Sequence, residues 1–300
     1  MHVLDSLIKE FGLDKIQSWR NEARRLKSPF IFELVYTGHP KLIRHAVRDH
    51  KFNLNIKRDC DGNTPLHMCA LQQNQQMFEL LIELGAEATI ENDDEQTATS
   101  LNDTRRKALN IIWLDLEMTS LDNPDILECA VIITDKYLNE LDRGNWIVHF
   151  EQEELDKLEE WHQKNFTSRD KGGNGLFDDV VISTMTAARM EDELLALLKR
   201  HCPPKACPLA GNSIHWDRDV IRTKMPRVYE HLHYRVIDVS TLNGLMERWA
   251  PEKSKRFDAQ VLTKMKGPDG ELHRAMYDIE RSIEISKLYQ PLFTQQEKNN

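Results

Sequence analysis

Membrane-spanning segments are missing from this sequence, since no apolar run reaches the roughly 18 residues that a bilayer crossing requires. Residues 1–25 carry four acids in a mixed-charge helical pattern, whereas signal peptides need an apolar core and mitochondrial presequences contain few acids. The five cysteines are odd in number and irregularly spaced, which argues against a disulfide framework and for reduced thiols. The sequence therefore predicts an intracellular protein with no membrane partner. The cytoplasm is favoured, with mitochondria and the nucleus left open.

Positive charge is also in short supply, because 40 Lys and Arg face 49 Asp and Glu and give a formal net charge of −9. A protein that coats long nucleic acids presents a broad basic surface, so this class is disfavoured. A short nucleic-acid substrate stays open, because divalent cations in a cleft can invert the local field. The glycine-rich stretch at 171–175 lacks the Lys-Ser/Thr pair and the strand-to-helix context of a phosphate cradle, so it predicts only a mobile connection.

A repeated pattern occupies the first third of the chain. DGNTPLHMCA begins at Asp61, a helical pattern leads to Leu84-Gly85-Ala86, and a related start follows at Asp94, 33 residues after Asp61. These features resemble ankyrin repeats, which implies a small all-α domain over residues 1–103 with a capping helix at 1–24. His67 is expected to be a structural turn residue of the motif. The resemblance implies an adaptor that binds another protein, whose identity the sequence leaves unknown. A charged stretch at 103–107 predicts a linker.

The segment at 111–119 (IIWLDLEMT) is rich in β-branched and aromatic residues, which predicts a strand. Because residues i and i+2 of a strand point to the same face, the carboxylates of Asp115 and Glu117 project together. Their apolar neighbours suggest a strand buried on both faces, where like charges so close need a cation between them. From these residues alone, a site for a hard cation and an exposed strand end with two solvated acids are equally open.

A mixed α/β pattern follows this strand. Further strands are predicted at 126–134, 146–150, 207–211 and 234–238. Helices are predicted at 151–163, 186–201, 215–225, 240–249 and 274–290. Residues 250–272 predict a polar loop, and residues 292–300 a polar tail.

Five blocks of this region occur in a fixed order, namely WLDLEMTSLD, LECAVIITD, CPLAGNSIHWD, HYRVIDVSTL and HRAMYDIERSI. Together they closely resemble the oligoribonuclease family over about residues 108–291. That family belongs to the DEDD exonucleases with a catalytic histidine. The resemblance implies an α/β fold class, with a ribonuclease H-like domain over 104–291 whose mixed sheet is flanked by helices. It also implies a 3′-to-5′ exoribonuclease that degrades short oligoribonucleotides, down to dinucleotides, to nucleoside 5′-monophosphates.

The resemblance assigns roles to the acids of these blocks. Asp115, Glu117, Asp217 and Asp278 would hold two Mg²⁺ or Mn²⁺ ions, hard cations that prefer carboxylate oxygen. His273, five residues before Asp278, would be the general base that deprotonates the attacking water, a task suited to imidazole near neutral pH. Taken singly, Asp217 and Asp278 are typical of exposed helix charges, and only the complete set indicates a site.

Substrate contacts are implied in the same way. Leu121 would wedge against a base and Trp161 would line the base pocket. His233 and Tyr234 would reach into the site of a partner subunit, so a homodimer is implied. For Trp161 and Tyr234 core packing is the alternative. The 5′ phosphate of a short single-stranded RNA would be held by Ser213, Arg235, Ser240 and Thr241.

Some positions depart from the family pattern. Ser120 stands where the family usually has glycine, which puts the backbone before Leu121 in question. Tyr277 replaces an acid beside Asp278, and the segment 250–272 looks longer than its family equivalent. Two alternatives therefore stand beside the short-RNA exonuclease. One is a nuclease of the same chemistry that acts on longer RNA or DNA, and the other is an inactive ankyrin-nuclease scaffold.

Overall fold

The computed structural model describes residues 16–18, 21, 30–48, 51–265 and 273–294. Contacts within the chain divide it into two compact units, Met1–Arg106 and Lys107–Asn300. The predicted capping helix at 1–24 lies mostly outside the described residues. Within the part of the chain that is described, no helix has the length and apolar character that a membrane crossing needs.

Over its described residues the first unit contains short helices, as expected for ankyrin repeats. They are α1 (Phe30–Tyr36), α2 (Pro40–Arg48), α3 (Pro65–Leu71), α4 (Gln75–Glu83) and α5 (Ala98–Lys107). Apolar side chains of successive helices, among them Leu42, Leu66, Leu81 and Leu101, share one buried cluster. Each helix pair thereby buries a face that it could not bury alone.

His67 has the structural role that the sequence predicts. Its side chain is completely buried, and its Nδ1 lies 2.8 Å from the hydroxyl of Thr64, the residue that caps α3. Its Nε2 lies 2.8 Å from the carbonyl oxygen of Gln96 in the following repeat. The imidazole thus joins two repeats and satisfies a helix start.

The predicted linker at 103–107 is wrong, because these residues form the last turns of α5. Arg106 donates a hydrogen bond of 2.9 Å to Asp103, an exposed pair at the i,i+3 spacing of a helix surface. A short run of charges does not distinguish a linker from an exposed helix end.

The second unit is organised around a mixed sheet of five strands. The strands are β1 (Ile111–Met118), β2 (Ile126–Thr134), β3 (Glu140–Ile147), β4 (Leu209–Gly211) and β5 (Val236–Asp238). Their order across the sheet is β3-β2-β1-β4-β5. The pairs β1–β2 and β2–β3 are antiparallel, while β1–β4 and β4–β5 are parallel. The predicted mixed sheet is therefore confirmed, and β1 lies at its centre.

Helices cover both faces of this sheet. They are α6 (Gln152–Leu155), α7 (Glu160–Asn165), α8 (Leu176–Ile182), α9 (Ala187–His201), α10 (His215–Lys224), α11 (Pro226–His231), α12 (Val239–Trp249), α13 (Pro251–Lys264) and α14 (Ala275–Thr294). Because side chains alternate along β1, Leu114 joins the core that contains Leu194 of α9, whereas Trp113 joins the core that contains Ile279 of α14. The face of β1 that carries odd-numbered residues is thus the face covered by α14.

Several predicted boundaries need correction. The predicted loop at 250–272 contains helix α13, in which Pro251 occupies the favourable first position and Val261 is buried. The predicted helix at 151–163 is two separate helices, α6 and α7. Strand β3 begins at Glu140 and ends at Ile147, earlier than the predicted 146–150. Helix α14 continues through residue 294, into the segment assigned to a tail.

Candidate active site

Three carboxylates meet between β1 and α14. Asp115 and Glu117 leave β1 on the face that α14 covers, two residues apart along the strand. Asp278 lies in the first turn of α14. One oxygen atom from each of these three side chains lies within 4.8 Å of the others. Strand alternation and one helix start thus place three negative groups at a single point.

The fourth predicted acid, Asp217, has a different environment. It lies in the first turn of α10, is 5% exposed, and its Oδ1 accepts a hydrogen bond of 2.9 Å from the backbone N–H of Leu116. Strand β4 pairs with β1 only at Ile112 and Trp113, so Leu116 lies beyond the end of that pairing. Among the described residues, the group of three mutually close carboxylates does not include Asp217. It faces the neighbouring stretch of β1 instead.

Burial and mutual repulsion raise the pKa values of these acids. The pKa of Asp115 is raised well above its ordinary value by burial and then by the charges of Asp217 and Glu117. Burial, Asp278 and Glu128 likewise raise the pKa of Glu117 well above its ordinary value. Burial also raises the pKa of Asp278, and it raises that of Asp217 to about 7. Ionising these acids together is therefore unfavourable unless a cation compensates their charge.

Such a site fits divalent cations. Its donors are all carboxylate oxygens, which hard ions such as Mg²⁺ and Mn²⁺ prefer. A bound cation would relieve the repulsion between the acids and favour their ionised forms. The residues present thus fit the binding of a divalent cation.

In the metal-free protein, the free energy of unfolding should fall as the pH rises through neutrality. The pKa of Asp217 is raised from 3.8 to about 7, so between these values the folded protein keeps a proton that the unfolded chain has lost. The resulting stabilisation is fully present below pH 3.8 and is lost as the pH rises through about 7. Urea denaturation with chelator at about pH 5 and about pH 8 measures this slope.

Asp217→Asn is the control for that slope, because it removes one titrating group and should flatten the pH dependence. Added Mg²⁺ or Mn²⁺ should stabilise the protein most at the higher pH, where the carboxylates are ionised. A metal-free protein whose stability increased over the same range would contradict the raised pKa values.

A cleft of about 410 Å³ opens beside the carboxylates, within the size range of small-ligand sites. It is lined by Asp115, Leu116, Glu117, Asn212, Val239, Asn243, His273, Asp278, Arg281, Ser282 and Ile285. His273, the predicted base, thus shares this cleft with three of the four predicted acids.

The start of α14 is fixed by a buried ion-pair network. Glu128 on β2 is 1% exposed and accepts hydrogen bonds from Arg274 Nε at 3.1 Å and Nη2 at 3.0 Å. It also accepts one from the backbone N–H of Ala275 at 3.2 Å, and Arg274 Nη1 donates to Asp179 of α8 at 2.8 Å. A carboxylate at a helix start is favoured by the free N–H groups there. The network holds both His273 and Asp278 near β1.

His273 immediately precedes this anchored segment. Its backbone has a φ of +60°, in the left-handed region that costs a non-glycine residue about 1–2 kcal/mol. Its carbonyl oxygen accepts a hydrogen bond of 2.6 Å from Nδ2 of Asn174, and its ring meets the edge of Trp161 with centroids 5.1 Å apart. The backbone of the predicted base is therefore held by contacts from outside its own helix.

The predicted phosphate-binding residues lie in two places, around Asp238 at the start of α12 and beside the ring of Tyr234. Ser213 and Ser240 surround Asp238, whose Oδ1 accepts from both backbone N–H groups and from the Ser240 hydroxyl at 2.6 Å. Arg235 lies over the ring of Tyr234 at 5.3 Å. His233 stacks on that same ring with centroids 4.5 Å apart. Thr241 is exposed in the first turn of α12.

The predicted base-binding residues are both exposed. Leu121 is 69% exposed in the loop after β1, and Trp161 is 47% exposed on α7. Tyr234 is also 69% exposed. The alternative of core packing therefore does not hold for Trp161 or Tyr234. Of the described residues that line the cleft, none belongs to the group of His233, Tyr234 and Arg235.

The two substitutions among the departures from the family pattern, Ser120 and Tyr277, are accommodated. Ser120 does not have a positive φ, so its side chain introduces no left-handed strain, and its Oγ accepts from the N–H of Asn123 at 3.1 Å. Tyr277 donates its hydroxyl to the carbonyl oxygen of Met265 at 3.1 Å. Tyr277 thereby ties α14 to the end of α13.

Sequence reasoning missed Arg281, Asn212 and Asn243 in the cleft, together with the partners of Arg274. Arg281 lies three residues after Asp278 on α14, so helical spacing alone could have identified it. Asn212 directly precedes Ser213 in one of the five blocks. No local signal identifies Glu128 or Asn174, because each contacts residues far away in the sequence.

Comparisons with known proteins agree with this architecture. Residues 112–286 match a family described as exonuclease, and residues 5–98 match one described as ankyrin repeats in three copies. An oligoribonuclease of Pseudomonas syringae pv. tomato is 42% identical over 188 residues, covering 61% of this chain and 96% of that protein. The mitochondrial oligoribonuclease of Homo sapiens is 38% identical over 185 residues, covering 61% of this chain and 72% of that protein.

Among solved structures, exonuclease I from Methylocaldum szegediense overlaps with a TM-score of 0.44 at 16% identity. The overlap covers 60% of this chain and spans 40% of that chain. The exonuclease match over residues 112–286 contains all four predicted acids and His273.

Proposed function

Because the chain belongs to the oligoribonuclease family of exonucleases, we propose that this 3′–5′ exoribonuclease degrades short single-stranded RNAs, down to dinucleotides, to nucleoside 5′-monophosphates. The observation that carries the proposal is the cluster of Asp115, Glu117 and Asp278, with ligand oxygens within 4.8 Å, beside His273 in one cleft. An RNA of two to five nucleotides can be bound by a few specific hydrogen-bond donors and does not need an extended basic surface. This substrate is therefore compatible with a net charge of −9.

Asp115, Glu117 and Asp278 would hold two Mg²⁺ or Mn²⁺ ions together with Asp217. When bound, such ions stabilise negative charge on the attacking and leaving oxygens of a phosphodiester. Asp217 contributes a second effect through the chain itself. Its hydrogen bond to the N–H of Leu116 fixes the backbone between Asp115 and Glu117.

His273 would take the proton from the attacking water with a ring nitrogen. His273 lines the cleft that contains the carboxylates, and its ring packs nearly perpendicular to that of Trp161. Proton transfer to a positioned side chain contributes about 10²- to 10⁴-fold to the rate of such reactions. The fixed backbone of His273 supports this role, because a base must stay within reach of the water.

The exposed apolar side chains of Leu121 and Trp161 are suited to contact the nucleobases of the substrate. Leu121 would wedge against one base and Trp161 would support the other, since stacking on an aromatic ring tolerates any base. Arg235 would bind the 5′ phosphate, because its guanidinium can donate two parallel hydrogen bonds. Ser213, Ser240 and Thr241 would complete that phosphate site around the helix start that Asp238 caps.

The group of His233, Tyr234 and Arg235 supports a homodimer. Tyr234 is largely exposed, and the group does not line the cleft of its own chain as far as the described residues show. An exposed aromatic and basic group of this kind suits the edge of another copy's cleft. In such a dimer, His233 and Tyr234 would reach into the site of the partner subunit.

Dinucleotide hydrolysis tests the proposal. Purified full-length protein with Mg²⁺ or Mn²⁺ should convert a 5′-phosphorylated diribonucleotide to mononucleotides, and chelator should stop the reaction. Turnover of the dinucleotide should exceed that of an RNA of roughly twenty nucleotides by at least about tenfold, since only a short chain seats its 5′ phosphate in the site.

Matched substrates separate the alternatives. A diribonucleotide without the 5′ phosphate is the control for the phosphate site and should be a poorer substrate. Preference for the longer RNA, or for DNA of that length, would replace the proposal with a nuclease for longer chains. Absence of any metal-dependent hydrolysis would favour the inactive scaffold.

The ankyrin-repeat unit would bind another protein and thereby place the nuclease in an assembly. All five cysteines are free thiols in the structure, and the reducing environment stays a prediction. For the compartment, the cytoplasm stays a prediction. The relatives named mitochondrial in Homo sapiens and Bos taurus keep the mitochondrion open.

A further inference from the structure

The glycine-rich loop at 171–175 has a defined structure, in contrast to the mobile connection that its composition predicts. Gly172 and Gly175 have φ angles of +87° and +79°, which favour glycine. At Gly173, a Cβ atom would lie 2.2 Å from the carbonyl oxygen of Thr167, so a side chain would not fit without a shift. The backbone conformation of this loop therefore requires glycine at three positions.

Backbone hydrogen bonds close the loop around Asn174. The N–H of Asn174 donates to the carbonyl oxygen of Asn165 at 2.8 Å, and the N–H of Gly175 donates to that of Thr167 at 2.8 Å. Asn174 itself is 2% exposed. Its Oδ1 accepts from the N–H of Leu176 at 3.0 Å, which orients the amide and leaves Nδ2 directed at the carbonyl oxygen of His273, 2.6 Å away.

We propose that Asn174 is a positioning residue for His273, and that the glycine-rich loop places the side-chain amide of Asn174 against the His273 backbone. The left-handed backbone at His273 persists only where its surroundings fix it. Arg274 is fixed by Glu128 and Asp179, and Asn174 holds the carbonyl oxygen of the peptide group that joins His273 to Arg274. Together these contacts fix the backbone from which the imidazole of His273 projects. This inference rests on the proposed role of His273 as the base.

Two hydrogen bonds of the Asn174 side chain, to Leu176 and to His273, can be separated by substitution. Asn174→Asp keeps the acceptor for Leu176 but replaces the donor with an oxygen that repels the His273 carbonyl. Asn174→Ala removes both. With saturating Mn²⁺, both variants should lower kcat for the dinucleotide by about ten- to a hundredfold, with KM changed little, as is typical when a supporting contact of a catalytic group is lost.

A double-mutant cycle distinguishes positioning from general damage. In the His273→Ala background, Asn174→Asp should cause no further loss, because the group that Asn174 orients is already gone. A purely structural role would lower the rate by the same factor in both backgrounds. Thermal unfolding of each variant shows whether the fold is retained, and Asn174→Asp is the informative variant if Asn174→Ala unfolds.

The outcomes also separate this proposal from the proposed function. If the parent hydrolyses the dinucleotide and His273→Ala is at least about a hundredfold slower, the role of His273 stands, and full activity of Asn174→Asp then overturns the positioning role alone. Equal activity of parent and His273→Ala overturns the proposed base itself. Equal factors in both backgrounds also overturn the positioning role.

Discussion

Asp115→Asn is expected to reduce metal-dependent dinucleotide hydrolysis by about a thousandfold or more, while the chain stays folded. Asparagine keeps the shape of the side chain but removes one of three carboxylates whose oxygens lie within 4.8 Å of one another. Burial and neighbouring acids raise the pKa of Asp115, so ionisation of this group is unfavourable without a cation. Removing it should therefore leave the metal-free protein at least as stable as the parent above neutral pH. The rate loss and the unfolding midpoint are measured on the same preparations.

Asp219→Asn is the matched control for this change. Asp219 lies on α10 with a side chain that is 60% exposed and an ion pair of 3.2 Å to Arg222. Exposed pairs of this kind contribute little, so the rate should stay within about twofold of the parent. Added Mn²⁺ should raise the unfolding midpoint of the control but not that of Asp115→Asn. If Asp115→Asn kept a tenth of the parent rate, or if Mn²⁺ raised its unfolding midpoint as much as that of the parent, Asp115 would be excluded as a ligand.

The parts of the fold that the sequence predicts correctly are those with strong local periodicity. Strand β2 carries an apolar run from 126 to 134 and has the predicted boundaries, and α9 follows its leucine stripe. Strand β3 was misplaced because its residues 140–145 are mostly polar and exposed, so its pairing with β2 has no sequence signal. Helix α13 was missed for a related reason, since its charged composition resembles a loop and only Ser254 and Val261 are buried.

The acids of the site are predictable because they occupy periodic elements. Two residues on one strand and one in the first turn of a helix need only the strand and helix to be correct. Asp217 shows the limit of this reasoning. Its place in the first turn of α10 follows from the sequence, but its hydrogen bond to Leu116 depends on where β4 ends.

The contacts that hold the site together are long-range, and no spacing rule reveals them. Glu128 and Arg274 are separated by 146 positions, and Asn174 and His273 by 99. Glu128 lies in an apolar run, where a single acid predicts only a partner of unknown identity. Asn174 lies among glycines, a composition shared by loops with no role. The structure assigns both residues to the same task, which is to fix the segment from His273 to Ala275.

His273→Ala is expected to lower kcat for the dinucleotide by about 10²- to 10⁴-fold, with little change in KM, because a general base acts mainly in the transition state. The carboxylates are untouched, so Mn²⁺ should still raise the unfolding midpoint of this variant, in contrast to Asp115→Asn. His149→Ala is the control, since that side chain is exposed and its Nε2 lies 3.3 Å from a carboxylate oxygen of the exposed Glu151. Raising the pH should restore part of the lost rate, because hydroxide then replaces the missing base. A variant that retained a third of the parent kcat would show that another group, or the solvent, takes the proton.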